Sequence, residues 1–120
     1  MSEKQNSKKY DLEDRTYKFA KRVRDFVRKI HKTVAVIEDG KQLIRASGSI
    51  GANYIEANES LGKKDFVMKI KICRKEAKES RYWLQLLEAS DGNEENERQA
   101  LMKEATELML IFSSIMRKSI

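Results

Sequence analysis

The sequence predicts an all-α protein, an antiparallel up-down-up-down bundle of four helices. Three observations carry this. There is no proline and there are only five glycines in 120 residues, too few for the turns of an all-β chain. Apolar residues recur at spacings of three and four through long segments, with no alternating strand pattern and no internal repeat. Charged residues make up 37% of the chain, as helices with one solvated face require. At this length one domain with a modest core is expected, over residues 11–120, behind a disordered N-terminal segment of residues 1–10.

The first helix is expected from about Leu12 to about Lys32, capped by Asp11, with Glu13 and Asp14 in its first turn. Thr16, Phe19, Ala20, Val23, Phe26, Val27 and Ile30 form its apolar stripe. Thr33 to Gly40 then reads as a connector whose Val34, Val36 and Ile37 tuck against the bundle. A second helix is expected from about Asp39 to about Leu61 on the stripe Leu43, Ala46, Ile50, Tyr54, Ala57 and Leu61. Gly48 and Gly51 inside it each cost about 1 kcal/mol relative to alanine. Close approach of a neighbouring helix would offset that cost; a break at Ser47-Gly48-Ser49 is the competing reading.

The third helix is expected from about Lys63 to about Ala89. Phe66, Ile70, Cys73, Ala77, Ser80, Leu84 and Leu87 make a heptad seam, and Ile72, Glu76, Glu79, Trp83 and Leu86 a second beside it. Two seams imply contact with several neighbours. After a turn at Ser90-Asp91-Gly92-Asn93, the fourth helix is expected from about Glu94 to about Lys118. Leu101, Ala105, Leu108, Phe112 and Ile115 form its main seam, with Met102, Met109 and Met116 on an adjacent one. The wide apolar arcs of the third and fourth helices suggest a homo-oligomer.

Cys73 stands alone, so neither an internal disulfide nor a cysteine zinc site is available, which fits a reducing compartment. No signal peptide or membrane-length apolar run is present, so a cytoplasmic location is expected. The only histidine is His31 and there is no Glu-x-x-His, so no metal or other cofactor is expected. No nucleophile–base pair and no phosphate-cradling glycine loop stand out, and the protein is expected not to be an enzyme.

Charge points elsewhere. The formal net charge is +6, and Arg15 to Lys32 holds eight Lys/Arg against one acid, Asp25. Charge so concentrated suggests a polyanion-facing surface: Arg15, Lys18, Lys21, Arg22, Arg28 and Lys29, with Lys63 and Lys64 at the start of the third helix. Solvation of exposed helix faces explains the same residues equally well. A second polar group, Arg45, Ser49, Asn53, Glu56, Glu76, Glu79 and Arg81, lies on stripes that should be partly buried. A hairpin turning near Gly62 pairs positions whose numbers sum to roughly 124. That sets Arg45 near Glu79, Ser49 near Glu76, and Asn53 opposite Lys71 and Ile72. A register-setting hydrogen-bond network is the economical reading. Trp83 fits core or interface better than base stacking.

The blocks Gln42-Leu43-Ile44-Arg45-Ala46, Ser49-Ile50-Gly51-Ala52-Asn53-Tyr54 with Glu56-Ala57, and Lys75-Glu76-Ala77 through Glu79-Ser80-Arg81-Tyr82-Trp83-Leu84 resemble the bacterial four-helix-bundle family encoded in 23S rRNA intervening sequences. The resemblance implies a ring-like homopentamer, and places the family's polar signature on Arg45, Ser49, Asn53, Glu56, Glu76, Glu79 and Arg81. A related branch is similar to the accessory protein of diversity-generating retroelements, which works with a reverse transcriptase and binds nucleic acid. RNA or DNA, further copies of the chain, and a partner protein such as a reverse transcriptase are therefore the partners to consider. One departure is visible: Gly62 and Asp65 stand where the family often has a serine cap and a glutamate.

Overall fold

The computed structural model describes residues 3–120, and side-chain surroundings from Asp11 onward. It contains four α-helices: α1 Glu3–Lys29, α2 Val34–Asn58, α3 Lys63–Leu86 and α4 Gly92–Ser119. α2 packs on α1 and α3, and α4 packs on α3 and, over a shorter stretch, on α1. Diagonal pairs do not touch along their backbones, so the order is that of an up-down bundle. The molecule measures 47 × 24 × 19 Å, the proportions of helices lying side by side.

The expected order of elements holds, and the ends move. α1 runs unbroken through Asp11, which is therefore not its cap; no glycine or proline in that stretch stops a helix. The expected disorder of residues 1–10 concerns Met1, Ser2 and side chains that lie outside the described residues. The connector expected over Thr33 to Gly40 is the main correction. Thr33 caps α2, its side chain accepting from the Val36 amide at 3.1 Å, so helix begins at Val34. Only Val36 is buried; Val34 and Ile37 face solvent. α2 ends at Asn58, leaving Leu61 fully exposed in the turn. α3 stops at Leu86, with the Leu87 amide donating to the Trp83 carbonyl. Asp91 caps α4 by accepting from the Glu94 amide at 2.8 Å, so Gly92 and Asn93 are its first turn. Gly62 begins α3 without a side-chain cap bond.

The core follows the expected stripes. Phe19, Val23, Leu43, Ile50, Ile70, Cys73, Leu84, Leu101, Leu108 and Phe112 are fully buried, each large one contributing about 1.5–3 kcal/mol. Tyr54 crosses to α4, its ring 5.7 Å from that of Phe112. The second seam of α3 is half-buried at Ile72 and Trp83 and exposed at Leu86.

α2 is continuous through Ser47-Gly48-Ser49, and its glycines are where α1 comes close. A Cβ on Gly51 would lie 2.9 Å from Thr16 Oγ1, and one on Gly40 3.1 Å from Val27 Cγ1. The Thr16 hydroxyl is fixed, donating toward the Leu12 and Glu13 carbonyls. At Gly48 the neighbour, at 3.2 Å, is the end of the flexible Arg24 side chain.

The two central glycines should therefore respond oppositely to alanine. Gly51→Ala gains helix propensity but overpacks a fixed neighbour, for a net loss of about 1 kcal/mol. Gly48→Ala should gain about 0.5–1 kcal/mol, since Arg24 can move. Urea denaturation midpoints of both variants test the pair.

Candidate functional site

Two charged systems tie the helices together, and they decide which cations remain for a partner. The first joins α1 to α4. Arg15 donates from Nε to Glu104 Oε2 and from Nη2 to Glu104 Oε1, both at 2.7 Å, with Glu107 Oε1 at 3.4 Å. These hydrogen bonds, Glu104 first, raise the pKa of Arg15. One heptad on, Arg22 Nη2 donates to Glu97 Oε1 at 2.8 Å. Of the cations expected to face a polyanion, Arg15 and Arg22 are thus occupied within the bundle. Lys18 pairs with Asp14 at 2.8 Å and Arg28 with Asp25 at 3.2 Å, both on the solvent side of α1. Lys21, Lys29, Lys63 and Lys64 are exposed and form no ion pair among the described residues.

The glutamates of α4 were missed by sequence reasoning, yet a signal was present. Arg15 and Arg22 are seven residues apart, as are Glu97 and Glu104. On antiparallel helices such matched heptads face each other. Arg98 was also missed. It lies at the α3–α4 corner, donating to the Leu84 carbonyl at 3.1 Å and to Glu95 at 2.7 and 3.0 Å. A cation there meets the negative end of α3. Hydrogen bonds from Arg98, then Gln99, hold Glu95 down at about 2.

The second system joins α2 to α3, and the polar group expected there divides into three. Arg45 Nη2 donates to Glu79 Oε2 at 3.1 Å, the expected pair, and Arg45 Nη1 lies 3.5 Å from Glu76 Oε2. Asn53 turns back along its own helix, donating to the Ser49 carbonyl and hydroxyl at 2.9 Å each. Ser49 and Glu76, expected as neighbours, are not hydrogen-bonded: an Asx side chain one turn below a carbonyl satisfies itself locally. Glu56 pairs across the hairpin with Lys69 at 2.8 Å, a partner the sequence reading had not named. Arg81 is exposed and joins none of them.

Glu76 is the unusual member. Its side chain is 6% exposed, and Oε2 accepts no hydrogen bond although Arg45 is near. Burial, then repulsion from Glu79, raise its pKa above the ordinary 4.5, against the pull of Arg45. Beside it, Gln42, Arg45, Lys75, Lys78, Glu79, Tyr82 and Trp83 line an open groove of about 610 Å³.

Cys73 is buried, its thiol donating to the Ile50 carbonyl at 3.4 Å, and desolvation pushes its pKa up to about 12. It stays a thiol at neutral pH. His31 lines a cavity of about 230 Å³ with Asp39 and Glu88, between the α1–α2 connector and the end of α3. Among the described residues no three His, Cys, Asp or Glu side chains gather as a metal site would need. No helix among them is long and apolar enough to cross a membrane.

Fold and site together define an all-α, four-helix-bundle protein whose charged side chains serve first to hold helices in register. The chain belongs to the family of 23S rRNA-intervening sequence proteins, whose model matches residues 8–114. It is also similar to a crystal structure from Bacteroides thetaiotaomicron, described as a protein with unknown function from the S23 ribosomal protein family. The identity is 28% and the TM-score 0.73, over 88% of this chain and 97% of that one. No curated protein matches.

The position of Glu76 sets a pH dependence. A carboxyl whose native pKa exceeds its unfolded one stabilises the fold fully at low pH, and that contribution disappears as pH rises through the native pKa. Relative to Glu76→Gln, the wild-type protein should therefore lose stability as pH rises from below the ordinary 4.5 through the raised native value. Urea denaturation of both proteins across that range tests this, and a constant difference would refute it. Arg45→Ala should cost about 1 kcal/mol, since Arg45 is half exposed and its pairs are screened.

Proposed function

We propose that this protein is a non-enzymatic homo-oligomer that binds RNA or DNA through its phosphates, with little sequence preference. The observation that carries the reading is the surplus of exposed cations. After α4 has neutralised Arg15 and Arg22, and Asp14 and Asp25 have paired with Lys18 and Arg28 on the solvent side, α1 still presents Lys21 and Lys29 without an ion pair among the described residues, and the start of α3 adds Lys63 and Lys64. Such contacts position a backbone and carry no base information.

Exposed apolar side chains support assembly. Ile37, Ile55 and Leu110 are each about half exposed or more, on helices already packed on their other sides. A ring of five would repeat the basic surface, and avidity would multiply weak phosphate contacts. The open groove beside Trp83 and Tyr82 supports a second reading, a scaffold that docks a partner enzyme such as a reverse transcriptase. The two differ in what they need: the first requires binding by the protein alone.

Binding to structured RNA and to duplex DNA should be measurable at about 50 mM salt and should weaken steeply as salt rises. Absence of binding at low salt would remove the first reading and favour the second. Light scattering should give a mass of several 14.0 kDa chains, five for a pentamer.

A further inference from the structure

The ion pairs sort the charges of α3 by side. Two of its three acids, Glu76 and Glu79, turn toward α2, where Arg45 meets them, and Lys69 turns the same way to Glu56; the third, Asp65, stays exposed in the first turn. The opposite, solvent face is Lys64, Met68, Lys71, Lys75, Lys78 and Tyr82, spaced 4-3-4-3-4 along the helix, and every one is exposed. That spacing keeps all six side chains on one line about 27 Å long. No acid interrupts it. Only Lys75 has a carboxylate within reach, Glu76 at 4.0 Å; Lys64, Lys71 and Lys78 form no ion pair among the described residues. On α1, by contrast, Asp14 and Asp25 interleave with the cations.

We propose that this outer face of α3 is a track for single-stranded nucleic acid, with the four lysines on successive phosphates and Tyr82 stacked on a base. This rests on the nucleic-acid reading above, and moves its centre from α1 to α3. The lysine row is a linear array of mobile point charges, suited to a phosphate backbone. The aromatic end selects a single strand. Tyr82 is 54% exposed, and Trp83 stands edge-on to it with ring centroids 5.2 Å apart. An exposed ring beside phosphate-binding lysines can stack only on a base that is not already paired and stacked. The groove of Lys75, Lys78, Tyr82, Trp83 and Gln42, closed on one side by the Arg45–Glu79 pair, gives such a base room. An acidic protein partner would use the lysines and leave Tyr82 without a role.

Trp83 is the sole tryptophan, so its fluorescence reports on the site directly. An oligo(dT) of about 20 nucleotides should quench it at low salt. Lys71→Glu/Lys78→Glu should weaken binding about tenfold or more, and the salt slope should fall by about 1.4. Tyr82→Ala should weaken it by about five- to a hundredfold. These positions are on the surface, and circular dichroism should show unchanged helix. Lys21→Glu/Lys29→Glu on α1 should have the smaller effect. If the α1 pair abolishes binding and the α3 pair does not, the α3 track is wrong while the nucleic-acid reading stands. Equal affinity for duplex DNA, or equal competition by polyglutamate with Tyr82→Ala silent, overturns the single-strand assignment. No binding to any nucleic acid overturns both.

Discussion

The pairing of α2 with α3 is the constraint from which the surface of this protein follows. Glu79 meets Arg45 near one end of the hairpin and Glu56 meets Lys69 near the other, with the Cys73 thiol on the Ile50 carbonyl between them. Each contact is modest: the two ion pairs are partly exposed, and such pairs contribute little individually. Their effect is directional. With Glu76 and Glu79 turned to Arg45 on α2, the row from Lys64 to Tyr82 on the outward face of α3 carries lysines and no acid.

The same partition runs between α1 and α4, with opposite result. There the acids come from the partner helix, and Glu97, Glu104 and Glu107 consume the strongest cations of α1. Arginine suits this work because its planar fork makes two parallel bonds to one carboxylate, as Arg15 does to Glu104. Arg15 and Arg22 hold α1 against α4 where their backbones share only a short stretch of close packing. A basic helix by sequence is thus a mixed-charge helix in the fold, while α3, less basic by count, carries the uninterrupted row.

Much of this was legible in the sequence. Heptad seams named nearly every buried residue, and a hairpin turning at Gly62 gave the Arg45–Glu79 pair. What could not be read lay where local chemistry competes with periodicity. Thr33 starts α2 about one turn and a half before the expected start near Asp39, because a cap depends on one hydroxyl and one amide rather than on a pattern. Asn53 satisfies itself within α2, because a short amide reaches its own helix more easily than the next one. The α1–α4 pairs join helices remote in sequence, so no turn fixes their offset; only the matched spacing of seven hinted at it.

Glu76 shows what the charged groups contribute beyond attraction. A buried carboxylate with an unsatisfied oxygen is less stabilising than an apolar side chain of its size would be. Its value lies in the arrangements it disfavours. Heptad seams tolerate slips of seven residues, since every slip still sets apolar against apolar. Slipping α3 one heptad one way would put Glu38 where Arg45 meets Glu76 and Glu79, and Ser49 where Glu56 meets Lys69. Slipping it the other way would bring Glu79 against Ala52 and bury Glu76 beside Ile55 with no cation near. Only the observed register gives both glutamates Arg45 and gives Lys69 Glu56. A core of Leu and Ile alone would hold these helices together more tightly and specify their offset less well. In that sense the acids that face α2 fix the offset of α3 along its neighbour, while its apolar seam fixes which face it turns to solvent.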